Sequence, residues 1–271
     1  MRQRLEQHIS ANSTGITVIE LLAGHTRLSR QQLKTAMTNG AVWLETRHGI
    51  RRIRRAKKAL QAGERLHLYY DSKIQSQQPA AARLVADEGD YSVWNKPAGM
   101  YSQGSKWGDH CSIVRWAEQH LEPGRTAYLV HRLDRAASGL ILLAHNRQAA
   151  RAFSSMFEQR LISKHYRALV EGDMSRLKLP FAINTPVQDK AAESVIIEAD
   201  YNPDEQITRV IIDLKTGRKH QIRRHLSDAG HPLVGDRLYG TGNTSRDLQL
   251  KAVSLGFECP LTGVTRNYSL D

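Results

Sequence analysis

The chain has 271 residues, 40% of them hydrophobic, enough for a buried core in one large domain or two. No apolar run approaches a membrane span, and MRQRLEQHIS at the N-terminus has no apolar stretch behind its basic residues, so a cytoplasmic protein without a membrane partner is expected. Two cysteines, Cys111 and Cys259, without metal-ligand spacing argue against a disulfide scaffold and a thiolate zinc site. The formal net charge of +12 is uneven: residues 1–78 hold 14 Lys/Arg against 5 Asp/Glu, a net +9, and the remainder carries +3. Concentrated positive charge attracts polyanions, with RNA, DNA and anionic membrane surfaces as candidates and a solvated basic face as the bland alternative.

Residues 17–25 (TVIELLAGH) have helical spacing at Val18, Leu21 and Leu22. A second helix is expected after Ser29, a good N-cap, with Leu33, Ala36 and Met37 as its buried stripe and Gly40 as its stop. AVWLE then alternates like a strand, and residues 51–70 supply Arg51, Arg52, Arg54 and Arg55 before the strand RLHLYY. Residues 1–71 therefore form a small α+β module, with Arg30, Lys34, Arg51, Arg52, Arg54 and Arg55 as its candidate contacts to a polyanion. SKIQSQQPAAA (72–82) lacks periodicity, carries Pro79 and reads as a linker.

The second domain, 83–271, begins with a strand that runs into a Pro-Gly turn, YSVWNKPAGM. HRLDRAASG (131–139) follows between two apolar runs and places Asp134 between Arg132 and Arg135. Neighbouring cations favour the charged form of a carboxylate, and a plain structural salt bridge is the competing reading. A helix is expected over 145–160, capped by Asn146. Residues 162–172 alternate, with Lys164, Tyr166, Ala168 and Val170 on one face. Tyr166 is either sheet packing or a ring that stacks on a base or moves a proton. Residues 193–217 read as a hairpin that turns at Asn202-Pro203-Asp204. A helix is expected after Gly217, ending at Gly230, with Arg218, Lys219, Arg223 and Arg224 suited to phosphate or carboxylate. Ile222 and Leu226 face the core, so Arg223 sits at the edge, partly buried, where it needs a carboxylate. HPLVGDRLYG (231–240) reads as a structural turn. P-loop, dinucleotide-fold, H-E-x-x-H and nucleophile-elbow motifs are absent, which leaves a reaction without cofactor or metal on a nucleic acid.

HRLDRAASGLILLA, SKHYRALVEG, LKTGRKHQIRRHLSDAGHPLVGDRLYG and NKPAGM together resemble the RluA-type family of pseudouridine synthases over roughly residues 84–260. The basic module resembles an S4-type RNA-binding domain, although Gly15-Ile16 stands where such domains usually have an Arg. The resemblance implies an α+β fold with a mixed, largely antiparallel sheet and flanking helices. It also implies an RNA isomerase acting on ribosomal RNA by preference or on tRNA, without cofactor, as a monomer. It makes Asp134 the catalytic aspartate and Arg223 the residue that pairs with it. It implies that Tyr166 packs on the target uracil and helps to move its C5 proton. Arg132 lies near the space a flipped nucleotide leaves, with Arg135, Arg218 and Lys219 as further RNA contacts. Ala137 stands where many members have Thr, so a hydroxyl that braces the loop is missing. A non-catalytic RNA-binding or assembly factor that keeps the fold is the alternative.

Overall fold

A computed structural model describes residues 2–242 and 246–271, and the chain forms two compact units. The first comprises residues 1–79 together with 103–119. Its sheet begins with β1 (Arg4–Ser10), which the sequence leaves unassigned. Leu5 and Ile9 alternate inward from a run of polar residues, a pattern of period two that marks a half-buried strand. Helices α1 (Val18–His25) and α2 (Arg30–Thr38) start on paired caps: Thr17 with Glu20 and Ser29 with Gln32 exchange side-chain and backbone hydrogen bonds. Strands β2 (Val42–Thr46), β3 (Gly49–Arg52) and β4 (Arg65–Asp71) complete an antiparallel sheet in the order β1-β4-β2-β3. Leu22 and Leu33 from the helices meet Leu44, Leu66 and Leu68 from the sheet in a closed core.

The division differs from the single cut at 72–82. Residues expected to be linker begin with a short helix, α3 (Ser72–Gln75), whose Gln75 is buried and donates to Trp107 O at 2.8 Å. Segment 103–119 returns to the first unit because Asp109 accepts from Arg54 Nη2 at 2.6 Å and Trp43 Nε1 donates to Lys106 O at 3.1 Å. The segment runs into α4 (Ile113–His120).

The second unit holds residues 80–102 and 120–271. Its strands are β5 (Arg83–Asp87), β6 (Tyr91–Lys96), β7 (Tyr128–Leu129), β8 (Ser138–Ala144), β9 (Ser163–Glu171), β10 (Phe181–Ile183), β11 (Ser194–Asn202), β12 (Ile207–Leu214), β13 (Leu250–Glu258) and β14 (Thr265–Ser269). They run β10-β11-β12-β9-β13-β8-β6-β5, with β14 beside β13 and β7 beside β8. Among the described residues only β8 and β13 pair in parallel, so the expectation of a mixed, largely antiparallel α+β sheet holds. Strand β8 is buried on both faces, which explains its unbroken apolar run. On one face, α5 (Arg147–Glu158), capped by Asn146, packs Ala149, Phe153 and Met156 against Tyr91, Val93 and Leu142. The last helix, α6, spans Gln221–Asp228 and starts later than the sequence suggests. Gln221 explains the delay: its Oε1 accepts from Arg218 N at 3.0 Å and Thr216 Oγ1 at 2.7 Å, holding 216–220 as a loop.

Candidate active site

Residues 130–137 leave β7 and enter β8, and four side chains fix this loop. Leu142 N donates to His131 Nε2 at 2.9 Å, and the imidazole stacks on Phe157 with centroids 4.2 Å apart. Burial pushes the His131 pKa down to about 3, with Lys164 adding to the effect, so the ring is neutral as its acceptor role requires. Leu133 is held at both backbone groups by one hydroxyl: its N–H donates to Ser102 Oγ at 3.0 Å, and Ser102 Oγ donates to its carbonyl at 2.6 Å. This supplies, from another turn, the hydroxyl brace that Ala137 lacks. Arg135 Nε donates to Gly99 O at 3.0 Å, while Gly99 N donates to Arg135 O at 2.8 Å. Fully buried Lys96 donates to the carbonyls of Pro97, Met100 and Ala137 at 3.0, 2.9 and 2.6 Å. Burial lowers its pKa to about 8 against the pull of Asp134. At the entry to β8, Gly139 has φ +110°, and a Cβ there would collide with the backbone of Ala252 on β13.

The loop presents Asp134 in a cleft of about 590 Å³. Arg223 Nη1 lies 3.6 Å from Asp134 Oδ2, and His220 Nε2 lies 3.8 Å from Oδ1. Arg223 is buried, and its main partner is Asp236, not Asp134: Nε and Nη2 donate to the two Asp236 oxygens at 2.8 and 2.7 Å. Burial disfavours the Arg223 charge, but the hydrogen bonds and charge of Asp236 overcome this and raise its pKa. Asp236 is buried too. Its desolvation is outweighed by Arg223 and by the N–H groups of Leu238 and Tyr239, which together hold its pKa below the ordinary carboxylate value. The turn 231–240, read as packing, thus supplies the carboxylate that a buried Arg223 requires. Tyr166 stands on β9 opposite Ile212 and Ala252, lines the same cleft and is 8% exposed. Burial, then the charge of Asp134, raise its pKa.

The structure corrects the role read for the flanking arginines. Arg135 is turned to Gly99 and lies 4.5 Å over the Tyr101 ring, so the cation facing Asp134 is Arg223. Arg132 and Lys219 are exposed on the cleft and make no hydrogen bond or ion pair among the described residues. Arg218 also lines it, with Nε donating to Ala191 O at 3.1 Å. Arg160, Lys164 and Lys215 extend the basic lining, and Lys215 pairs with Asp213. In the first unit, Arg30, Lys34, Arg51 and Arg55 are exposed. Arg52 and Arg54 instead face Asp109 at 3.3 and 2.6 Å, and Arg52 covers Trp43. Four site components escape sequence reading: Lys96, Ser102, His220 and Asp236. Each acts through a partner distant in the chain.

The family model for RNA pseudouridylate synthases matches residues 90–228, a span that contains Asp134, Tyr166 and Arg223. The dual-specificity RNA pseudouridine synthase RluA of Vibrio vulnificus (strain CMCP6) is 33% identical over 198 residues, covering 65% of this chain and 78% of that protein. The ribosomal large subunit pseudouridine synthase C of Yersinia pestis is 33% identical over 210 residues, covering 69% of this chain and 64% of that protein. Among solved structures, human RNA pseudouridylate synthase domain containing 1 superposes with a TM-score of 0.59 at 23% identity, covering 72% of this chain and 86% of that one, a likeness of fold. The chain belongs to the RluA-type RNA pseudouridine synthases, isomerases that convert uridine in RNA to pseudouridine.

Proposed function

We propose that this chain isomerises specific uridines in structured RNA, ribosomal RNA first among targets, with Asp134 as the reacting carboxylate. One observation carries the assignment of Asp134: it faces a nucleoside-sized cleft, set against Arg223 and His220 and close enough to Tyr166 to raise the phenol's pKa. The reaction breaks the C1′–N1 bond, turns the uracil and joins C1′ to C5, while the C5 hydrogen leaves as a proton and N1 gains one. Atoms and electrons balance within the nucleotide, so the reaction calls for no cofactor. Asp134 acts as nucleophile at C1′ or as base at C2′, and either route needs its carboxylate. Tyr166 covers the detached uracil, which must stay enclosed until it rebonds. Arg132, Arg218 and Lys219 meet the phosphates around a nucleotide flipped from its stem, and the energy of those contacts offsets unstacking.

The first unit, read as an S4-like docking module, contributes Arg30, Lys34, Arg51 and Arg55 to RNA binding. The preference for ribosomal RNA rests on this module and on the likeness to a large-subunit enzyme. The enzyme works as a cytoplasmic monomer. The test is pseudouridine mapping by carbodiimide labelling and primer extension, in total RNA from cells with and without the gene. One or a few ribosomal sites should vanish on deletion and return with wild type but not with Asp134→Asn. Restoration by Asp134→Asn would remove Asp134 from the chemistry. Sites lost only from tRNA would overturn the target, and no lost site would favour a non-catalytic RNA-binding factor.

A further inference from the structure

The loop before α6 ends on His220, whose backbone lies at φ +57°, in the left-handed region that favours glycine and that Asn, Asp and His enter more often than other residues. His220 occupies the cap position of the helix, yet its side chain makes no capping hydrogen bond. The imidazole reaches two other groups: Nδ1 lies 3.0 Å from Tyr239 Oη, and Nε2 lies 3.8 Å from Asp134 Oδ1. Tyr239 Oη also accepts from Arg224 Nε at 3.2 Å. A guanidinium has no acceptor, so the phenol oxygen accepts there, which leaves its own hydrogen available to His220 Nδ1. Nδ1 is then an acceptor, and the ring hydrogen sits on Nε2, facing the carboxylate. Burial lowers the His220 pKa, the charges of Arg223, Lys219 and Arg224 lower it further, and Asp134 opposes them without prevailing. A neutral ring satisfies both ends of this arrangement.

We propose that His220 is a positioning residue for the isomerisation, its Nε2–H fixed in place by Tyr239 and directed at Oδ1 of Asp134. Arg223 faces Oδ2 at 3.6 Å, so the carboxylate is addressed from two sides and cannot rotate without losing one of them. Both separations exceed a hydrogen bond, and contacts of this kind tighten when substrate binds. A neutral donor steadies Oδ1 without adding a second full positive charge that would make the carboxylate less reactive. The ring takes this position on a left-handed backbone at residue 220. The inference rests on Asp134 being the reacting carboxylate.

Two amide variants separate the ring's two nitrogens. In His220→Asn the amide reaches only as far as Nδ1 and suits the left-handed backbone; in His220→Gln it reaches as far as Nε2. Single-turnover pseudouridine formation on saturating RNA should fall about 100-fold in His220→Asn, the scale of losing one preorganised donor. RNA affinity and thermal midpoint should stay close to wild type. His220→Gln should recover about tenfold of that loss, because it restores a donor facing Oδ1. Nitrogen-15 NMR of the full chain at neutral pH should show His220 neutral and protonated on Nε2, independently of turnover. A full rate in His220→Asn, equal losses in both variants, or a ring protonated on Nδ1 would overturn the proposal. Wild type and Asp134→Asn run alongside: turnover by Asp134→Asn would overturn the reading of the site itself, whereas its inactivity beside a fully active His220→Asn would count against His220 alone.

Discussion

In the first unit, no Lys or Arg among the described residues is buried: the core closes with aliphatic side chains while Arg30, Lys34, Arg51 and Arg55 stand in water. In the second unit, Lys96 and Arg223 are sealed in, the first on three carbonyls and the second between Asp236 and Asp134. The difference separates two uses of one kind of charge. An exposed cation acts at a distance, is screened by salt and can be exchanged at little cost in stability. A buried cation fixes geometry, and removing its partner leaves an uncompensated charge.

The most severe test of this contrast is Asp236→Asn. It leaves Arg223 buried without its bidentate partner and should lower unfolding free energy by about 3–5 kcal/mol, read by urea titration. A loss below about 1 kcal/mol, the scale of an exposed pair, would erase the distinction. Within the first unit, Arg54 and Arg51 should differ in kind. Arg54→Ala breaks the bond to Asp109 and should cost about 1.5–3 kcal/mol without changing the salt dependence of RNA binding. Arg51→Ala should leave stability within about 0.5 kcal/mol. It should reduce the slope of log affinity against log salt by about 0.7–0.9 if one phosphate contact is lost. Matching profiles for the two variants would show that pairing with a carboxylate does not sort the arginines. A further test concerns His131. Unfolded His binds a proton near pH 6.5, whereas the folded ring resists until about pH 3, so the unfolded state binds more protons in between and stability falls on acidification. Between pH 7 and 5 the wild type should lose about 2 kcal/mol on this account, and His131→Gln should flatten that slope.

Much of this was legible as patterns. Ser29 and Asn146 announce their helices because capping is decided within four residues. Asp134, Tyr166 and Arg223 stand out because each lies in a motif with distinctive neighbours. What stayed hidden depends on contacts between distant segments. Asp236 looked like a turn residue, since its pairing with Arg223 exists only once the chain has folded back. Arg135 looked like a charge neighbour of Asp134, but its head group turns to the Gly99 carbonyl, a contact made only once the chain has folded back. The helical pattern after Gly217 ran three residues too far because Gln221 diverts the local backbone hydrogen bonds. Strand β1 did carry a signal, Leu5 and Ile9 spaced by polar residues, which the surrounding charges obscured.

The position of β13 has a consequence for synthesis. This strand lies between β9 and β8, in the middle of the sheet, yet it is made more than a hundred residues after β8. Until residues 250–258 leave the ribosome, the edge of β9 that faces β13 and the Ser138–Gly139 end of β8 lack their partner, and the backbone of Ala252 is not there to meet Gly139. The loop that carries Asp134 is therefore assembled late. A nascent chain passes through an interval in which two strands present open edges, the condition under which β-rich proteins need shielding from one another.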